Sequence, residues 1–123
     1  MDNYLWIEEY CLDKVGVYKK FKDEWNADLY MIDNKFFIMC ASDKSGRKII
    51  SFKQKIVTNL KLIKEHPDMI VPGYYLNKQH WVSVYVDQNP SVDLLKSMID
   101  EAYEVILSAF SKKRQEEIKD GII

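Results

Sequence analysis

The run Phe36-Phe37-Ile38-Met39-Cys40-Ala41 follows a polar pair, Asp33-Asn34, and is apolar at every position. Strand side chains alternate between two faces. As a strand, this run therefore puts Phe36, Ile38 and Cys40 on one face and Phe37, Met39 and Ala41 on the other. Neither face suits water, so the pattern predicts a central strand covered on both sides. Ala27 to Ile32 is a second apolar run just before Asp33-Asn34, and a two-residue polar turn between two such runs signals a hairpin. A loop over Ser42 to Gly46 leads to a third strand, Arg47 to Lys53, with Ile50 and Phe52 on one face and Ile49 and Ser51 on the other. A last strand spans 80–87. There Val82, Val84 and Val86 share a face with His80, and Trp81, Ser83, Tyr85 and Asp87 share the opposite one.

Helices flank this block. Tyr4, Ile7, Cys11 and Val15 recur at helical spacing, which predicts a helix over 2–14 ended by Gly16. Residues 17–26 carry no clear period and read as a connection anchored by Phe21 and Trp25. Residues 54–65 turn helical, with a stripe of Ile56, Val57, Leu60 and Ile63, and Pro67 limits that helix. Pro72-Gly73 suits the centre of a type II turn. The pattern at 91–110 is the clearest: Val92, Leu95, Ile99, Ala102, Ile106 and Ala109 step by three and four. Asn89 or Ser91 is placed to cap it. The last ten or so residues are charged and are expected to fray.

A chain of 123 residues with 47% hydrophobic residues fits one domain able to build a core without metal or disulfide. No apolar run approaches the roughly 20 residues that span a bilayer, and no basic segment leads into an apolar one at the N-terminus. The expected setting is cytoplasmic, with no membrane contact. Cys11 and Cys40 lie in apolar patterns and read as reduced, buried thiols.

The formal charge of −1 hides an uneven distribution. Lys44, Arg47, Lys48, Lys53, Lys55, Lys61 and Lys64 form a run with no acid between them, whereas the first 33 residues carry eight acids against four bases. Either these are solvated faces that pair with one another, or the middle of the chain forms a surface that attracts anions.

The densest chemistry lies in Pro72-Gly73-Tyr74-Tyr75-Leu76-Asn77-Lys78-Gln79-His80-Trp81. Asn77, Lys78 and His80 could converge on an anion, and Trp81 with Tyr85 could stack bases. The alternative is that the aromatic residues are core and that Asn77 and His80 fix the loop to the sheet. No nucleophile motif, phosphate loop or dinucleotide fingerprint is present, and neither histidine has a zinc-ligand neighbour at the right spacing. No catalytic residue, metal or cofactor is expected.

This stretch, followed after a short strand by a helix carrying Leu94-Leu95, Ile99-Asp100 and Ala102-Tyr103, resembles the MmcQ/YjbR-like family and its PGYxxNKxHW segment. Tyr10-Cys11-Leu12 with Val15-Gly16-Val17 is similar to the family's YCLxxPGV segment, and Lys35-Phe36-Phe37 to its glycine-lysine-aromatic turn. Val15 replaces the family's proline and Asn34 its glycine. Lys19-Lys20-Phe21-Lys22 replaces an acidic-aromatic-glycine segment. The resemblance implies an α+β fold over residues 1–123, an antiparallel β-sheet flanked by N- and C-terminal helices, similar to secretion-chaperone-like and frataxin-like arrangements. It also implies DNA binding through a double-wing arrangement of hairpins. The frataxin likeness would suggest iron at the first helix, but Asp2, Glu8, Glu9 and Asp13 are too few to expect it.

Three functions follow as expectations. The first is a DNA-binding module using Arg47, Lys48, Lys53, Lys55, Asn77, Lys78, His80 and Trp81. The alternative is a protein-interaction or adaptor domain, dimeric or with another protein partner, and with no nucleic-acid role. The third is a small-ligand pocket around Tyr74, Asn77, Lys78 and His80.

Overall fold

The structure, a computed structural model, describes residues 5–121. Six strands form one antiparallel sheet: β1 (Tyr18–Lys22), β2 (Ala27–Ile32), β3 (Lys35–Ser42), β4 (Lys48–Lys53), β5 (Ile70–Pro72) and β6 (Trp81–Tyr85). Their spatial order is β1-β2-β3-β4-β6-β5. Four helices accompany them: α1 (Leu5–Leu12), α2 (Ile56–Glu65), α3 (Val92–Ser108) and α4 (Lys112–Lys119). The fold is α+β, an antiparallel sheet with N- and C-terminal helices. The first three residues of the expected 2–14 helix lie outside the described residues, and the helix closes at Leu12, before Gly16 (φ +84°).

The main core lies between the sheet and the helices. Ile7 and Cys11 of α1 and Leu95, Ile99 and Ile106 of α3 meet Ile38, Phe52, Val82 and Val84. Ser91 caps α3 by accepting from the Leu94 amide at 3.1 Å. A smaller apolar cluster, Ala27, Leu29, Met31 and Met39 with Phe36, Ala41 and Leu76, covers the other sheet face. β3 is therefore covered on both sides, as its residues require.

The division of β3 between the faces differs from simple alternation. Met31 pairs with Phe36 but Tyr30 with Ile38, so Phe37 is an extra residue in a bulge. A bulge shifts the parity of everything beyond it. Phe37, Ile38 and Cys40 consequently face the helices, and Phe36, Met39 and Ala41 the small cluster.

Four further expectations are corrected. Residues 17–26 are not a plain connection but edge strand β1 and a short 3-10 turn, Asp23–Trp25. β1 is exposed on nearly every residue, so burial imposes no period on its sequence. Pro72 ends β5, and Gly73 has no positive φ. The apolar stripe of α2 points mostly outward: Ile56, Val57 and Leu60 are exposed, and only Ile63 packs against the core. The tail does not fray through residues 112–119 but forms α4, capped by Ser111 and anchored by buried Ile118. A Cβ on Gly16 would lie 2.8 Å from Ile118 Cγ2, so the glycine also makes room for α4. Arg114 adds a bidentate pair to Asp33 (2.9 and 2.8 Å), which lowers the Asp33 carboxyl below its ordinary range.

Candidate functional site

Residues 72–81 form a clasp. The Gly73 amide donates to the Trp81 carbonyl at 2.8 Å, and a Cβ at Gly73 would stand 2.7 Å from Trp81 Cβ. Glycine is required for close approach, not for a turn conformation. Asn77 Oδ1 accepts from the amides of Gln79 (2.9 Å) and His80 (3.1 Å), and Lys78 Nζ donates to the Gly73 carbonyl at 2.8 Å. The Tyr74 amide donates to Ser83 Oγ (2.9 Å), which also bonds Ser51 Oγ (2.7 Å). Trp81 is 7% exposed, with its ring 5.2 Å from that of Phe36. An indole so enclosed is not a platform for a base. The ring of His80 is exposed, not packed with the valines; its backbone carbonyl accepts from the Gln54 amide at 3.0 Å.

The basic residues from the run do not form one face. Arg47 makes two bonds to Asp87 (2.8 and 2.9 Å) and stacks 3.7 Å over the Tyr85 ring. That pairing holds the Asp87 carboxyl below its usual range. Lys48 and Lys53 stand at opposite ends of β4 and, five residues apart, on opposite faces. Lys53, Lys55, Lys78 and His80 gather at one end of the sheet, where Lys53 pairs with Trp81 and Gln54 with His80. Arg47 and Lys48 occupy the other end.

Near that first end, α2 is turned inside out. Val57 and Leu60 are 78% and 64% exposed, while Asn59 is 2% exposed. Asn59 Nδ2 donates to the Gln79 carbonyl at 2.9 Å, but its Oδ1, like Oε1 of Gln54, is buried with no partner. Glu101 of α3 fastens the helix start, accepting from the Lys55 amide (3.1 Å), Gln54 Nε2 (3.3 Å) and Thr58 Oγ1 (3.0 Å). A carboxylate there also meets the positive end of the helix dipole. Lys61 and Lys64 flank the outward aliphatic residues. Periodicity had found this helix but could not say which arc faces water, so Val57 and Leu60 were missed as surface residues beside Lys61 and Lys64.

Two clefts stand out among the described residues. One, of about 440 Å³, opens on the helix side between α1 and the ends of β1–β4; Tyr30, Cys40, Lys19, Asp28 and Lys48 line it. The other, of about 390 Å³, lies on the opposite face between Trp25 and Tyr75–Leu76, over Met39 and Ala41. His80 borders neither. Burial, with Asp28 adding to it, pushes the Cys40 thiol up to about 12, so it stays protonated and unreactive. Burial likewise raises the Tyr30 hydroxyl and keeps it a donor. Among the described residues, no three histidine, cysteine or acidic side chains are grouped to hold a metal ion. No described helix is long and apolar enough to cross a membrane.

The family model for YjbR matches residues 12–105. The chain belongs to the YjbR family. It is 31% identical over 94 residues to the uncharacterized protein YbdF of Escherichia coli O157:H7, covering 76% of this chain and 75% of YbdF. It is 23% identical to the uncharacterized protein YjbR of Escherichia coli K12, over 87% of this chain and 89% of that protein. Solved structures share the fold. A Deinococcus radiodurans protein with a DUF419 domain superposes with a TM-score of 0.82 at 21% identity, covering 92% of this chain and 85% of its own. A Pseudomonas syringae protein gives 0.69 at 15% identity, over 81% and 95%. The clasp and the bulged hairpin lie within the residues matched to the family.

Proposed function

We propose that this chain is a protein-interaction module that docks a partner on the outward face of α2. The observation that carries the reading is the inverted helix: α2 presents Val57 and Leu60 to solvent and turns Asn59 into the protein. Exposed aliphatic side chains framed by charge are the usual build of a contact surface. The frame here is Lys55, Lys61 and Lys64, with Glu65 the single acid in α2. A second copy of the chain would set these lysines against one another. The complementary partner is an apolar segment with flanking carboxylates.

DNA binding is the less favoured reading. Phosphate contacts need cations on one surface. Of the residues expected to form it, Arg47 is paired, Lys48 stands apart, Trp81 is enclosed, and Asn77 and Lys78 hold the clasp. Val57 and Leu60 offer phosphate nothing.

A displayed peptide library, selected on the wild-type chain and counter-selected on the Val57→Ser/Leu60→Ser variant, tests the reading. Selected peptides should carry carboxylates beside leucine or aromatic residues and should bind the variant about tenfold or more weakly. If instead short duplex DNA binds at low salt, unaffected by that variant but lost on Lys61→Glu/Lys64→Glu, the protein reading fails and the DNA reading replaces it.

A further inference from the structure

Among the described residues, the small cluster on the sheet face away from the main core contains no residue of α1–α4, so loops complete that face. Two of those loops stand on either side of the cleft of about 390 Å³. The 3-10 turn Asp23–Trp25 brings Trp25, and the clasp brings Tyr75 and Leu76. Met39, 2% exposed, and Ala41 lie between them as the floor. Both rings reach into water: Trp25 is 47% exposed and Tyr75 58%.

Tyr75 stands there at a conformational cost. Its φ of +69° lies in the left-handed region, which a bulky residue keeps only where its surroundings fix it. The clasp does the fixing. Gly73 is tied to the Trp81 carbonyl through its amide and to Lys78 Nζ through its carbonyl. On the neighbouring residue, the Tyr74 amide donates to Ser83 Oγ, and the Tyr74 hydroxyl accepts from the Lys44 amide at 3.1 Å. The Tyr75 ring stands edge-on to that of Tyr74, with 4.4 Å between centroids. More than half exposed, it gives little burial in return for the strain. A ring held in this way beside a cleft is placed for a ligand, not for the core.

The lining limits what that ligand is. Its one charged group among the described residues is Glu24. The Lys22 ammonium lies 3.9 Å from the Glu24 carboxylate and 4.2 Å from the centre of the Trp25 ring. An anion finds no cation in this lining, and a cation would compete with Lys22 for both Glu24 and the indole. The rest is two aromatic rings, Leu76, Ala41 and a methionine whose polarizable thioether suits an aromatic edge. We infer that the cleft binds a free, uncharged aromatic molecule of one or two fused rings, in contact with Trp25 and Tyr75 above Met39. About 390 Å³ is room for such a ligand. α2 packs on the opposite face of the sheet, so this site stands or falls apart from partner docking.

The test is titration of the full chain with benzyl alcohol and with indole, followed by amide and indole NMR shifts. Cyclohexylmethanol, which has the size but no aromatic ring, and benzoate, which has the ring but a negative charge, are the controls. The aromatic probes should give saturable shifts centred on Met39, Ala41, Leu76 and the Trp25 indole, with each control at least about fivefold weaker than benzyl alcohol. Whichever of benzyl alcohol and indole binds more tightly assigns the number of rings. Trp25→Ala should weaken binding about fivefold. Tyr75→Gly should weaken it as much while leaving Tm within about 5 °C of wild type, because glycine adopts this φ without strain. A larger fall in Tm would show that Tyr75 serves the fold and would overturn the proposal. So would the absence of any saturable shift at the cleft, a control that binds as tightly as benzyl alcohol, or unchanged binding in both variants.

Discussion

Helices α2 and α3 cover the same side of the sheet but are held there by different physics. α3 buries seven residues, from Leu95 to Leu107, all but Tyr103 purely apolar and all in the main core. α2 buries two, Asn59 and Leu62. Its attachment is polar: Glu101 at its first turn, Asn59 on the Gln79 carbonyl, and Leu62 as its one fully placed apolar contact. Apolar burial is non-directional and scales with area, whereas hydrogen bonds to fixed partners set orientation. α3 is therefore held by the amount it buries. α2 is held in one rotation about its axis, and that rotation leaves Ile56, Val57 and Leu60 outside.

The contrast is most sharply tested by removing side-chain volume. Ile99 is fully buried at the centre of α3. Ile99→Ala should cost about 2–5 kcal/mol, through lost transfer free energy and the cavity left behind. Urea unfolding followed by far-ultraviolet circular dichroism measures it. A loss below about 1 kcal/mol would mean that α3 does not organise the core.

A middle-sized effect should come from the bridge between the two helices. Glu101→Ala strips the acceptor from the Lys55 amide, Gln54 Nε2 and Thr58 Oγ1 together. The expected loss is about 1–3 kcal/mol. Glu101→Gln keeps an acceptor but removes the charge at the helix start, and should lose only about 0.3–1 kcal/mol. Equal losses for the two variants would show that charge, not the hydrogen-bonding oxygens, fastens α2. Hydrogen exchange should show α2 amides opening first in the alanine variant, with α3 unchanged.

How far the sequence carries follows the same division. α3, the β2–β3 hairpin and the alternation of β6 were legible, because burial on a defined side imposes its period on the residues. β1 was not, since Tyr18-Lys19-Lys20-Phe21-Lys22 forms an edge with little to bury. The faces of Phe36 and Phe37 were exchanged by a bulge that leaves no mark on an all-apolar run. α4 is fixed by Ile118 and Arg114, too few apolar positions to make a pattern. The segment 72–81 was legible as special, but its distinctive residues serve the clasp: Gly73 by what it lacks, Asn77 and Lys78 by capping backbone groups. The basic run was legible as composition only. Its dispersal follows from β4 placing Lys48 and Lys53 on opposite faces. Tyr30 and Asp28 gave no sign in the sequence, because their cleft is assembled from four strands and a helix.

The smallest expected effect is the one that most directly separates the two helices. Leu60 is chemically a core residue, and in α3 its truncation would resemble that of Ile99. On α2 it is 64% exposed, so Leu60→Ala removes little buried area. Alanine also has the higher helix propensity, by a few tenths of a kcal/mol. The two contributions nearly cancel, and the unfolding free energy should stay within about 0.5 kcal/mol of wild type. A loss approaching that of Ile99→Ala would mean that the stripe is buried in solution, by rotation of α2 or by a second copy. Repeating the measurement across a range of protein concentration tells these apart, since only the second makes the loss depend on concentration. A near-zero result leaves a leucine that does nothing for the isolated fold, as a contact surface for another protein requires.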